Sequence, residues 1–357
     1  MRYRWIDIAR GLAMLMVIVG HVSAPVPAFA AGQNFWFMGN LPIFFFFSGL
    51  LFHPKPFKER LITNFNTLLL LYISFALLIL AYVTAAVHFT PASWSIKATL
   101  LGSLWAVGDN GSMPMGMMSL GAVWFFVALG LATLLFGTVV SLAQRSRYQT
   151  VVTVALSLVL FGIGFAVPAS APCSLRAVFL SQLFLMLGYV SQTWVKRAWS
   201  LGRIVVTGVI GIGIWYWAAQ QGTFYLVAGH FTGPIWQMLI GAIASVFGIM
   251  AVAQLIDRYL WQVGDRFAWF GRYSAVVLFV HAFMILILGK IFLGPTTNEF
   301  VLTYGRMIAW ILMVLTNVGI ITVVVNLMLG IPVINKLFMD RQWPIAPSVT
   351  KSGRIKA

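Results

Sequence analysis

Apolar residues fill this chain in blocks close to the ~20-residue length with which a helix crosses a bilayer. Short polar stretches separate them. The blocks cover roughly 5–24, 35–52, 67–87, 119–142, 149–167, 176–193, 204–219, 234–256, 273–293 and 304–329. They predict an all-α fold, a polytopic membrane helix bundle of about ten transmembrane helices. The second block contains Pro42 ahead of Phe44-Phe45-Phe46-Phe47-Ser48-Gly49. Proline frees a backbone carbonyl, which membrane helices tolerate where a neighbour or cavity water satisfies it. The longest outer segment, 88–118, holds Pro91, an apolar piece from Leu100 to Trp105, and Gly108-Asp109-Asn110-Gly111-Ser112. It reads either as a cover over an outward-facing site or as a plain interfacial segment. The expected organisation is one membrane domain, 1–340, and a short, basic, unstructured cytoplasmic tail, 341–357.

Composition agrees with the pattern. The chain has 357 residues, 61% of them hydrophobic and only 8% charged, with a mean hydropathy of +0.94; soluble domains carry about 25% charged residues. A net charge of +16 would point to nucleic acid in a soluble protein. Here its cause is the distribution of loops. With the N-terminus inside, only Lys97, Arg176, Lys290 and Arg306 of the 23 basic residues fall on or near the outer side. Both termini are therefore expected in the cytoplasm, the chain in the plasma (bacterial inner) membrane, and no nucleic-acid partner. The lone Cys173 excludes an internal disulfide, and no metal-ligand cluster is apparent. Oligomeric state is not legible.

The first block carries chemistry. Trp5 to Ala24 is apolar enough to cross lipid, yet includes Asp7, Arg10 and His21. Ionisable groups within a membrane segment are costly and mark functional sites. Eleven residues separate Arg10 from His21, about three turns and roughly 16 Å of rise, so both face one way. Asp7 lies on the same face, one turn before Arg10. One by one, these residues also read as a headgroup-level ion pair and a helix–helix hydrogen bond. All three on one stripe favour a cavity-lining helix. The basic start and Ala28-Phe29-Ala30 also resemble a secretory signal peptide with its cleavage site; a histidine inside the apolar run argues against it.

Several segments together carry a resemblance. Asp7-Ile-Ala-Arg10-Gly11 with His21, Pro42-Ile-Phe-Phe-Phe-Phe-Ser48-Gly49, Lys58-Glu-Arg60-Leu, Trp124-Phe-Phe, Leu187-Gly188-Tyr189, and Gly271-Arg-Tyr-Ser274 with His281 follow in order. This ordered set, over about residues 2–290, resembles the acyltransferase-3 family of membrane acyltransferases. Three features depart from the family pattern. Arg60 is followed by Thr63, where a second arginine is common; Leu278 stands where tyrosine is common; and no extracytoplasmic esterase-like domain is appended. All chemistry is then expected inside the membrane unit.

The resemblance implies transfer of an acyl group, commonly acetyl, from cytoplasmic acyl-CoA (acetyl-CoA) as co-substrate to a hydroxyl of a sugar or cell-envelope glycan acceptor. The residues fit that chemistry. Arg10, Lys58 and Arg60 would hold phosphate near the cytoplasmic mouth. His21 would act as general base within the lipid bilayer, and Asp7 would orient Arg10. Ser274 and His281, seven apart, share a helix face, His281 either contacting the acyl donor or holding the bundle together. Trp124 is a wall of the site or a packing residue. His53, His88 and His230 read as solvated, Asn317 and Asn326 as interhelical hydrogen bonds. The competing reading is a proton-coupled transporter that uses the Asp7, Arg10 and His21 stripe as its pathway. The paired halves of many transporters are not evident here.

Overall fold

The computed structural model describes residues 3–23, 27–89, 95–108, 111, 113–197, 199–227, 229–287 and 305–338. Asp109, Asn110, Ser112, Lys290 and the tail 341–357 lie outside the described residues.

The chain is an all-α membrane helix bundle. Among the described residues, seven helices are long and apolar enough to cross a membrane, and two bent helix pairs raise the number to nine. The tenth expected span, 35–52, is a broken helix. Helix α2 (Pro27–Asn40) stops where α3 (Pro42–Leu50) starts, with Pro42 in the first turn of α3. Proline has no N–H to donate and its ring collides with the carbonyl four residues back, so it ends one helix and starts the next. Ala28-Phe29-Ala30 lies within α2.

Helix α1 (Arg4–Ser23) is the axis of the bundle. Of its apolar window 72% is buried, against 17% for Gln149–Ala166 and 22% for Met307–Gly330. A helix buried on all sides belongs to the interior; the poorly buried ones face lipid. Around α1 pack α2, α13 (Ile235–Tyr259), α14 (Trp261–Arg272) and α15 (Ser274–Phe283). Helices α14 and α15 are bent by 73° at Tyr273, which places Ser274 at the elbow. At the start of α1, Arg4 pairs with Asp257 and, at 2.9 Å, with Asp265, and stacks on Trp261 at 4.3 Å. This cluster fastens α1 to the ends of α13 and α14.

The longest span begins with α4 (Phe57–Asn64) and continues, through a π-helical turn at Phe65–Leu69, into α5 (Leu70–Phe89). His88 falls in the last turn of α5 and not in a loop. The apolar piece of the outer segment is a short helix, α6 (Ile96–Trp105), N-capped by Ser95. Helix α7 (Trp124–Ala143) forms the other well-buried wall, and α8 (Gln149–Ala166), α9 (Leu175–Leu180), α10 (Gln182–Val190), α11 (Gln192–Val195) and α12 (Leu201–Gln221) follow it. A two-stranded hairpin, β1 (Phe224–Tyr225) with β2 (His230–Phe231), leads into α13; His230 is exposed there. Asn317 and Asn326 each donate to a carbonyl four residues back on their own helix. Expected as interhelical bonds, these contacts are intrahelical, because the nearest acceptor for a short amide is the second lone pair of the carbonyl one turn back.

Candidate active site

A cavity of about 610 Å³ runs beside α1 through the bundle, within the range of small-molecule sites. One end, the basic one, is lined by Arg10, His53, Lys55 and Arg60. The other is lined by Gly108, Gly121, Trp124 and, from the hairpin, Tyr225, Leu226 and Val227. His21 lies between, roughly 16 Å along α1 from Arg10. Both stripe residues therefore share one cavity wall, as helical spacing predicts.

His21 is held at three edges. Its Nδ1 is 2.8 Å from the Val17 carbonyl oxygen. A carbonyl only accepts, so Nδ1 carries the hydrogen, and in the neutral ring Nε2 keeps its lone pair. Phe37 of α2 packs edge-on at 5.2 Å between ring centroids. His281, 260 residues away in sequence, packs edge-on at 5.3 Å, its Nε2 3.5 Å from His21 Nδ1. His281 is wholly buried and lies behind His21, off the cavity wall. Of its two expected roles, that placement favours holding the bundle over touching a substrate.

Arg60 is only 7% exposed. Its Nη2 donates to the Lys55 carbonyl at 3.0 Å, and its guanidinium lies 4.6 Å over the Phe52 ring. The same guanidinium occupies the space that a side chain on Gly137 of α7 would fill. Arg10 sits 5.9 Å over the ring of Phe47. Lys58 is exposed and does not line the cavity; Lys55, three residues earlier in the segment that leads into α4, does. Asp7 is buried off the cavity wall. Ser274, at the α14–α15 elbow, and Trp124, 5% exposed, both line the cavity. Leu278, at the position where tyrosine is common, lines it too.

Two stretches of π-helix bear on the same space. Thr67 and Leu68 line the cavity from the turn at Phe65–Leu69, and Ile285 and Leu286 from π-helical residues 284–287. An inserted residue redirects the side chains after it, and such turns recur at functional sites. Sequence reasoning missed Asn40, His53, Lys55, Thr63, Asn64 and Thr67, all on the cavity wall. The last three follow Arg60 at spacings of three, four and seven, a legible signal. Among the described residues no group of three His, Cys, Asp or Glu side chains could hold a metal ion.

A family model described as an acyltransferase domain matches residues 3–326. The chain belongs to the acyltransferase-3 family. No curated protein and no solved structure matches it. It is accordingly an integral, multi-pass membrane acyltransferase.

The segments that carry the family resemblance meet in space. A Cβ on Gly11 would strike the Phe267 carbonyl, and one on Gly271 the Asp7 carbonyl, so α1 and α14 touch backbone to backbone. Helix α3 meets α10 (Gln182–Val190) in the same way, with Gly49 against the Leu185 carbonyl and Gly188 against that of Phe46. Small residues permit this approach where lipid supplies no hydrophobic drive between helices. Both contacts fix elements of the cavity wall, α1 with Arg10 and His21, and α3 with Phe44 and Ser48.

Proposed function

We propose that this acyltransferase moves an acetyl group from acyl-CoA, entering at the basic end, to a hydroxyl of a sugar or cell-envelope glycan. The support is the cavity itself, which joins a cluster of cationic side chains to a histidine inside the membrane. Arg10, Arg60 and Lys55 hold the donor's phosphates; guanidinium binds phosphate with paired, charge-assisted hydrogen bonds. The pantetheine arm then runs along α1, and the rise from Arg10 to His21, roughly 16 Å, suits its extended length.

At His21 the acceptor hydroxyl meets the thioester. Nε2 takes the hydroxyl proton as the oxygen attacks the thioester carbonyl carbon. The C–S bond breaks, the acetyl group leaves on the acceptor oxygen, and CoA sulfur takes the proton back from the imidazolium. Asp7 acts at a distance, positioning the first turns of α1. Lys58 lies outside this scheme.

The basic end is read as cytoplasmic, from the charge bias of the loops, in a bacterial inner membrane. Inside-out vesicles are then expected to consume added acetyl-CoA, and sealed right-side-out vesicles to leave it intact. Equal consumption by both would overturn the orientation.

A further inference from the structure

Asn40 is a buried polar side chain for which the proposed chemistry has so far no use. It is 2% exposed, it lines the cavity, and its Oδ1 has no hydrogen-bond partner among the described residues. An asparagine at the last position of a helix ordinarily bonds to local backbone. This one leaves its acceptor unmade, and buried groups without partners are rare and costly enough to need a reason. Its position suggests one. Asn40 follows Phe37 by three residues in α2 and so lies one turn, roughly 4.5 Å, further toward the basic end on the same face. Phe37 packs on His21. Asn40 therefore flanks the path between Arg10 and His21, just short of the reacting centre.

We infer that Asn40 is a donor-recognition residue whose Oδ1 accepts a hydrogen bond from an amide N–H of the pantetheine arm. This rests on the acyl-CoA reading above. A lone acceptor in an otherwise apolar stretch calls for a donor group on the ligand. Pantetheine supplies one in the amide two methylenes from its sulfur, which trails the thioester toward the basic end as Asn40 trails His21. Rotation about χ2, a broad torsion in asparagine, turns the oxygen onto the arm. A fatty or simple thioester has no amide there, so this contact selects CoA-type donors.

The test is equilibrium binding to purified protein of two probes, CoA and adenosine 3′,5′-bisphosphate, which keeps nucleotide phosphates and lacks the arm. Asn40→Leu keeps the branched outline of the side chain and removes the acceptor. It is expected to weaken CoA binding about five- to tenfold, the worth of one neutral hydrogen bond, and to leave bisphosphate binding unchanged. Melting temperature should hold or rise, since an unsatisfied polar group becomes apolar. Equal weakening of both probes, or no weakening of either, would overturn the assignment. If wild-type protein binds neither probe, the acyl-CoA reading itself has failed.

Discussion

His21→Ala is expected to abolish acyl transfer while leaving donor binding and thermal stability close to wild type. The expected loss is on the order of 10²–10⁴-fold, the contribution of a positioned general base. Stability should be spared for a specific reason. The hydrogen bond that the side chain gives up goes to the Val17 carbonyl, which in an α-helix already accepts the N–H of residue 21. The Val17 carbonyl is therefore not orphaned, and the adjacent cavity receives the missing ring volume. His281, buried behind His21, loses a ring neighbour and the 3.5 Å contact of its Nε2, a small loss beside the fall expected in turnover. Turnover, CoA affinity and melting temperature measured together decide the matter. Activity at wild-type level, or activity lost only in step with stability, would remove His21 from catalysis.

Arg60→Ala should fail at a different step. It removes a guanidinium that faces the cavity and is anchored on the Lys55 carbonyl, the Phe52 ring and Gly137. Hydrogen bonds to charged groups contribute about 1.5–3 kcal/mol, so CoA affinity should fall roughly 10- to 150-fold. Turnover at saturating donor should change far less. Arg60→Lys should not restore binding, because an ammonium neither stacks on Phe52 nor presents a planar pair of donors. Gly137→Ala gives a second view of the same contact. Its added methyl takes the place of the guanidinium, so it should weaken CoA binding in the same direction without altering any charge. A fall in kcat with unchanged CoA affinity in Arg60→Ala would contradict the donor-binding role.

The part of the site on α1 was legible because a helix translates spacing into direction. Arg10 and His21, eleven apart, do line one wall. Asp7 shares their sequence period but is buried off the cavity, where α1 presses on Gly271; periodicity names a face without saying what covers it. The break at Pro42 was visible in the residue itself. The 73° bend at Tyr273 was not, since neither proline nor glycine occupies it. His281 behind His21 is a contact across 260 residues, out of reach of local pattern. His53 read as a solvated loop residue and is exposed, yet it also borders the cavity, because polarity in a loop looks alike whether it faces open water or a cavity mouth. Asn40 offered no periodic signal at all: one amide in an apolar run gains meaning only once its missing partner is seen.

In the proposed function, Arg10 and His21 on α1 serve acyl transfer and not transport. Purified protein in detergent, where no gradient can exist, separates the two most directly. Supplied with acetyl-CoA and extracted cell-envelope glycans, wild-type protein is predicted to release free CoA as an acetyl-sized mass appears on the glycan. Silence in detergent, with solute accumulation in proteoliposomes under a proton gradient, would contradict it.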